Sequence, residues 1–149
     1  MAAQKIHQRF RARVKVSDMI ERYLKSRWKK DGMSYPFLNC WGLVRLVRSE
    51  MYGKPLMPAL DINADDARGK AYASKTLIAE YLTECEALPG ALATAWRVGI
   101  FIHVGVVVDI EGRLCVLEID DRSGVRWSRL AEFESRYPKV IYYDDKSLP

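Results

Sequence analysis

Apolar residues recur every three or four positions in the first half of the chain, and this spacing predicts helices. The strongest pattern consists of Trp41, Val44 and Val47. It follows Asn39, a residue type that is favoured at helix N-caps. The pattern predicts a largely buried helix that begins with Cys40 and ends before a Gly-Lys-Pro segment, because proline cannot continue a helix.

Three other segments have a weaker helical pattern. A helix capped by Ser17 is predicted to extend to about position 29, with Ile20, Tyr23, Leu24 and Trp28 on one face. Residues 65–85 are predicted to form one or two helices. A short helix is predicted over residues 130–136.

The second half of the chain is richer in β-branched residues and predicts strands. Residues 100–110 and 113–119 are apolar runs separated by Glu111-Gly112, a pattern typical of a β-hairpin. Residues 91–96 are predicted to be a short strand or a loop. Residues 124–127 and 139–143 are predicted to be further short strands. Helices that precede strands indicate an α+β fold.

The chain has 149 residues, which is most simply one domain. We expect a basic arm over residues 1–16, followed by a single domain over residues 17–149. In the arm, apolar residues alternate with Lys5, Arg9, Arg11, Arg13 and Lys15, and there is no acidic residue. The alternation fits an edge strand with one basic face, or a solvated tail. As an arm, it could dock on a larger assembly through an acidic surface.

Charge and cysteine content narrow the classes of function. The formal net charge is +5, and the three cysteines have no metal-type spacing with the two histidines. We therefore expect no metal and no cofactor, and synthesis in a reducing cytoplasm. The first residues lack the apolar core of a secretory signal. The longest apolar stretch is too short to span a membrane.

Cys40 is the first candidate for chemistry. At the start of a helix, unpaired N–H groups and the helix dipole favour an anion. This environment lowers the pKa of a thiol when a cation is nearby, and the thiolate is the nucleophile. A cysteine that only fills space in the core is the alternative. His103 is the candidate base, because the other histidine lies in the basic arm.

The predicted hairpin supplies a third candidate. If Glu111 and Gly112 are the turn residues, Glu118 and Asp120 project from the same face as His103. Either carboxylate could orient the imidazole. Simple register places Asp120 directly opposite His103, and Glu118 diagonally across Gly105. A pair of exposed acids is the alternative interpretation.

The order of these motifs resembles the NlpC/P60 family of papain-like cysteine peptidases, especially the short versions encoded with phage tails. The resemblance covers roughly residues 19–143. The matching segments are Tyr35, Asn39-Cys40-Trp41-Gly42-Leu43-Val44, Gly53-Lys54-Pro55-Leu56, Leu88-Pro89-Gly90, His103-Val104-Gly105-Val106 and Glu118.

The resemblance implies a papain-like α+β fold in which the nucleophile helix packs on an antiparallel sheet. It implies hydrolysis of amide bonds in peptidoglycan stem peptides, with Cys40 as nucleophile, His103 as base and Glu118 as third residue. Tyr35, Asn39 and Trp41 become candidates for substrate binding. The chain departs from the family pattern at Asn39, where Asp is usual, and at Glu118, where His, Asn or Gln is usual. It also departs at Ala91, where Asp usually follows Pro-Gly.

The sequence is also compatible with two other functions. The neutral Asn39 and the basic arm also fit a non-hydrolytic copy of the fold that acts in assembly of a phage tail tip or baseplate. In either case the resemblance predicts a protein associated with the virion. A nucleic-acid-binding role rests on the arm alone, since no recognition motif supports it.

Overall fold

The computed structural model describes residues 18–59 and 67–146. The predicted basic arm over residues 1–16 and the predicted cap Ser17 lie outside the described residues. No helix among the described residues is long and apolar enough to cross a membrane.

The described residues form an α+β fold, which confirms the predicted class. The helices are α1 (18–24), α2 (Cys40–Tyr52), α3 (Ala67–Tyr81) and α4 (Leu130–Ser135). The strands are β1 (Arg27–Trp28), β2 (Met33–Ser34), β3 (Phe37–Leu38), β4 (Leu82–Cys85), β5 (Leu92–Arg97), β6 (Ile100–Ile110), β7 (Arg113–Asp120), β8 (Gly124–Arg129) and β9 (Lys139–Asp145). Strands β1, β3 and β2 form a small sheet, and the main sheet has the order β4-β9-β5-β6-β7-β8.

Two predicted helices extend too far along the chain. Helix α1 ends near position 24, and Trp28, predicted on its apolar face, lies in β1 opposite Leu38. Helix α3 ends at Tyr81, and residues 82–85 form a strand that pairs with the last strand, β9. Backbone pairing with a distant segment outweighs local periodicity in both places, and the sequence pattern does not contain that information.

The β6–β7 hairpin forms in the predicted register. Ile110 lies opposite Arg113, and Val106 lies opposite Leu117. Both turn residues, Glu111 and Gly112, have positive φ angles of 52° and 80°. This conformation fits the twist of a two-residue hairpin and is available to glycine without strain.

The main sheet is buried on both faces. Helix α2 covers one face, where Trp41, Val44 and Val47 belong to the same core cluster as Val104 and Leu117 of the sheet. We call this the α2 face. Helix α4 covers the opposite face through Phe133, which packs with small or branched residues of the sheet. We call this the α4 face. The cluster there contains Ala91, Ala93, Ala95, Val107 and Val116.

The C-terminal half of α2 is fixed to the end of β9 by a buried arginine. The Arg48 guanidinium donates to the Gly90 carbonyl at 2.8 Å, to Asp144 at 3.1 Å and to Asp145 at 2.9 Å. Lys54 lies 3.0 Å from Asp144 on the outer side. The two aspartates compensate a cation whose side chain is only 1% exposed.

This ion-pair network predicts a pH-dependent contribution to stability. Burial alone would raise the pKa of Asp144, but the hydrogen bond from Lys54, the Asp145 N–H and the charges of Lys54 and Arg48 lower it below the ordinary 3.8. A depressed carboxyl pKa stabilises the fold above the unfolded value, and this stability is lost as the pH falls through the folded value. Asp144→Asn should therefore lower the free energy of unfolding at pH 7, and the difference from wild type should shrink below pH 3.8. Urea unfolding over pH 2–7 measures this, and a difference that is independent of pH would contradict it.

Candidate functional site

Cys40 is the first residue of α2, as predicted. The N-cap is Asn39, whose Oδ1 accepts a hydrogen bond from the Gly42 N–H at 2.7 Å. Its Nδ2 donates to the Lys30 carbonyl at 2.9 Å. The cap therefore anchors the start of the helix to the preceding loop, and the Cys40 side chain is left partly exposed there.

The first turn of α2 also packs closely against the loop before β2. A Cβ atom on Gly42 would lie 2.2 Å from the Gly32 carbonyl oxygen. The Gly32 carbonyl accepts the Asn39 N–H at 2.8 Å. Glycine at position 42 is therefore required sterically, and it keeps the backbone at the start of the helix fixed beside Cys40.

His103 lies beside a β-bulge in β6. Ala95 pairs with His103 and Trp96 pairs with Phe101, so Ile102 is an extra residue with no partner in the β5–β6 ladder. The imidazole lies near Phe133 of α4 and near Tyr137, which follows α4; its ring centroid is 6.4 Å from that of Phe133 and 6.1 Å from that of Tyr137. The His103 side chain is 15% exposed.

Glu118 is the carboxylate that faces His103 most directly. Its Oε2 lies 3.9 Å from His103 Nε2 and has no hydrogen-bond partner among the described residues. The Glu118 residue is 1% exposed. The other oxygen, Oε1, lies 2.9 Å from Arg126 and 3.3 Å from Arg136. The structure thus brings together two of the three predicted catalytic side chains.

Asp120, the alternative third residue, has a different main role. Its Oδ1 accepts the N–H groups of Arg122 at 2.9 Å and Ser123 at 2.6 Å, so it caps the turn between β7 and β8. Burial alone would raise the pKa of Asp120, but these two N–H groups, with Arg126 and then His103, lower it. Its interaction with the imidazole is the weakest of these influences.

Cys40 and His103 are associated with different faces of the main sheet. Residues opposite one another in a ladder point to the same side of a sheet, so pairing with Ala95 places His103 on the α4 face. Cys40 packs against the core of the α2 face. Bulges redirect side chains and often occur next to active sites. A Cys40–His103 pair stays a prediction.

The three predicted substrate-binding residues lie in different environments. Trp41 is fully buried and donates its indole N–H to the Pro58 carbonyl at 3.0 Å, so the indole offers no surface to a substrate. Asn39 is 3% exposed, and its oxygen and nitrogen are both used in the cap. Tyr35 is exposed, with the Arg22 guanidinium 4.4 Å from its ring centroid. Substrate binding by Tyr35 stays a prediction, while Trp41 and Asn39 have structural roles.

The sequence interpretation missed Arg126 and Arg136. The signal for Arg126 was present, because the β7–β8 register places it directly opposite Glu118. Finding Arg126 would have required continuing the count of paired residues from the β6–β7 hairpin to β8. Arg136 follows α4, and only the packing of that helix on the sheet brings it to Glu118, so pairing rules offered no route to it.

The other two cysteines are free; Cys85 is partly exposed and Cys115 is buried. Burial is the main cause that raises the pKa of Cys85 and of Cys115. Over residues 18–59 and 67–146, no three His, Cys, Asp or Glu side chains are grouped so that they could hold a metal ion.

No model of a known protein family matches the chain, and no curated protein matches it at a significant level. The function is therefore argued from the site itself.

The Glu118 carboxylate is expected to orient His103 and to favour the imidazolium. Glu118→Gln keeps the shape and removes the charge, so activity should fall by a modest factor. The alkaline limb of the pH profile should move to lower pH, because the imidazolium loses an anionic neighbour. Glu118→Ala should cost more, since the ring also loses its orienting contact. Asp120→Ala serves as the comparison. If Asp120→Ala lowers activity and both Glu118 variants keep wild-type activity, Glu118 is not the residue that orients His103.

Proposed function

We propose that the protein is a cysteine amidase of the NlpC/P60 type, with a papain-like site that cleaves amide bonds in peptidoglycan stem peptides. Cys40 is the nucleophile, His103 the general base and acid, and Glu118 the residue that orients the imidazole. The observation that carries the proposal is the buried Glu118 carboxylate, whose free oxygen faces His103 Nε2 at 3.9 Å. The resemblance of the sequence motifs adds the substrate class.

The short distance between Glu118 Oε2 and His103 Nε2 supports different roles for the two ring nitrogens. Glu118 is nearest to Nε2, which leaves Nδ1 of His103 as the nitrogen that would exchange a proton with the Cys40 thiol. A carboxylate that fixes one nitrogen determines the tautomer and the direction of the other. This is the arrangement that a thiol hydrolase needs.

The reaction would proceed in two steps. The Cys40 thiolate attacks the amide carbonyl carbon, and a C–S bond forms as the carbonyl electrons move to oxygen. N–H groups at the start of α2 are suited to hold this oxyanion, because they lack partners within the helix. The C–N bond then breaks, and the imidazolium of His103 gives its proton to the leaving amine.

Hydrolysis of the thioester returns the protein to its starting state. His103, now neutral, removes a proton from water, and the hydroxide attacks the acyl carbon. The C–S bond breaks, a carboxylic acid is released, and the Cys40 thiolate again pairs with the imidazolium. No cofactor enters this sequence.

A second candidate is a structural protein of a phage tail that keeps the fold without cutting. The observation that favours it is the pairing of Glu118 with two arginines, because such an ion-pair cluster fixes α4 to the sheet whether or not Cys40 reacts. In both candidates, residues 1–16 are proposed to dock on tail-tip or baseplate proteins, which would associate the protein with the virion.

The experiment that separates the candidates is incubation of the full chain with purified peptidoglycan, followed by mass spectrometry of the soluble fragments. The amidase proposal predicts new amine and carboxyl termini within the stem peptides. Intact stems after prolonged incubation, with a folded protein, would overturn the amidase proposal and favour the structural one.

A further inference from the structure

We propose that Arg126 and Arg136 are positioning residues that hold Oε1 of Glu118, so that its other oxygen stays directed at His103. This inference rests on the proposed function for its catalytic meaning. The geometry behind it concerns only side chains of the described residues, and it can be tested without a substrate.

The two arginines contact only one of the two oxygens of the Glu118 carboxylate. The Arg126 Nε and Nη2 atoms each lie 2.9 Å from Oε1, and Arg136 Nη1 lies 3.3 Å from the same atom. Oε2 has no hydrogen-bond partner among the described residues and lies 3.9 Å from His103 Nε2. A carboxylate with all its donors on one oxygen leaves the second oxygen available to a single neighbour.

The burial of Glu118 explains why cations are needed there. The side chain has no exposed surface, and an isolated carboxylate in such a place becomes protonated rather than paying the desolvation cost of its charge. The two guanidinium groups supply the compensating positive charge, at 2.9 Å and 3.3 Å from Oε1.

The two arginines come from different elements, which fixes the carboxylate from two sides. Arg126 lies on β8 directly opposite Glu118, and it also lies 3.5 Å from Asp120. Arg136 follows α4 and is held by Glu132, one helical turn earlier, at 2.9 Å. Strand and helix must therefore both be in place before Oε2 points at the imidazole.

The elements around the His103 imidazole bring titratable and charged groups to the side where Glu118 lies. They are Glu118 and Asp120 on β7, Arg126 on β8, Glu132 on α4, and Arg136 and Tyr137 after α4. Burial and then the charge of Glu118 raise the pKa of Tyr137, so its hydroxyl stays neutral near pH 7. The counted charges are three carboxylates and two guanidinium groups.

The direction in which the His103 titration midpoint shifts distinguishes a positioning role of the arginines from a direct effect of their charge on the imidazole. Removing a nearby cation by itself favours protonation of His103 and moves its titration to higher pH. Removing a cation that holds the Glu118 carboxylate toward the ring has the opposite effect, because the imidazolium loses the anion directed at it. The proposal therefore predicts a shift to lower pH when either arginine is lost.

The test is NMR titration of the histidine ring protons in the full chain, which contains only two histidines, so that His7→Gln assigns the signals. Arg126→Met and Arg136→Met should each move the midpoint of His103 to lower pH. Glu118→Gln should move it in the same direction by about one unit. Arg122→Met, in the exposed turn before β8, is the matched control and should leave the midpoint near that of wild type.

A double variant makes the test specific. In the Glu118→Gln background, Arg126→Met should give no further shift to lower pH, since there is no carboxylate left to position. Arg126→Lys, which keeps the charge and loses the two-atom contact, should give an intermediate shift and serves if Arg126→Met does not fold. A midpoint that rises or stays unchanged in the single arginine variants would overturn the proposal.

The outcome is independent of peptidoglycan hydrolysis. A shift to lower pH in an inactive protein would support the positioning role and reject the amidase proposal. An active protein with unshifted histidine titration would support the amidase and reject the positioning role.

Discussion

Replacing Cys40 by alanine should abolish the release of peptidoglycan fragments while leaving the fold intact. The thiol sulfur forms the covalent bond in the proposed reaction, so the alanine variant lacks the nucleophile. The structural cost should be small, because the side chain is partly exposed and the helix start is held by Asn39 and Gly42. We expect activity to fall at least about a thousandfold, as for loss of other catalytic nucleophiles.

The control for this change is Cys85→Ala, a free cysteine of similar exposure in β4. It should retain wild-type activity. Fragment release and circular dichroism are measured together for both variants. A folded Cys40→Ala protein that still releases fragments would reject the mechanism, and an unfolded one would identify Cys40 as a core residue only.

Replacing Arg48 by methionine should cause the largest loss of stability. The change keeps an apolar stem of similar length and removes a buried cation that donates to Gly90, Asp144 and Asp145. Asp145 then loses this cation, Asp144 keeps Lys54 at 3.0 Å, and a buried carbonyl loses its arginine donor. Breaking a buried ion pair on one side costs about 3–5 kcal/mol, and the partial exposure of both aspartates favours the lower end.

Arg22→Met is the matched comparison, because Arg22 also pairs with a glutamate at 3.2 Å but is about half exposed. An exposed pair contributes less than about 1 kcal/mol. Urea unfolding at pH 7 gives both values. A loss below about 1 kcal/mol for Arg48→Met would show that Lys54 alone compensates the aspartates.

Local rules were sufficient for the elements whose pattern is set by neighbours in sequence. The helix from Cys40 follows from apolar spacing and an Asn cap, and the β6–β7 register follows from a two-residue turn. The same rules failed for residues 82–85 and for Trp28, because strands β4 and β1 exist only through pairing with distant segments.

The candidate site was likewise predictable only where it depends on residues that are close in sequence. Glu118 could be placed near His103 by counting from the turn, and the structure puts the two 3.9 Å apart. The bulge beside His103 could not be read from alternation, because it arises where β6 pairs with β5. Arg136 reaches Glu118 only because α4 folds back over the sheet.

The central claim is that Cys40 and His103 form a working thiolate–imidazolium pair. The most direct measurement is the rate of Cys40 alkylation as a function of pH, in wild type and in His103→Ala, with Cys85 and Cys115 as internal references whose thiol pKa values are raised by burial. The account predicts that Cys40 reacts at a pH well below the other two cysteines and that His103→Ala removes this advantage. A Cys40 thiol that titrates with Cys85, or one that is unaffected by His103→Ala, would contradict it.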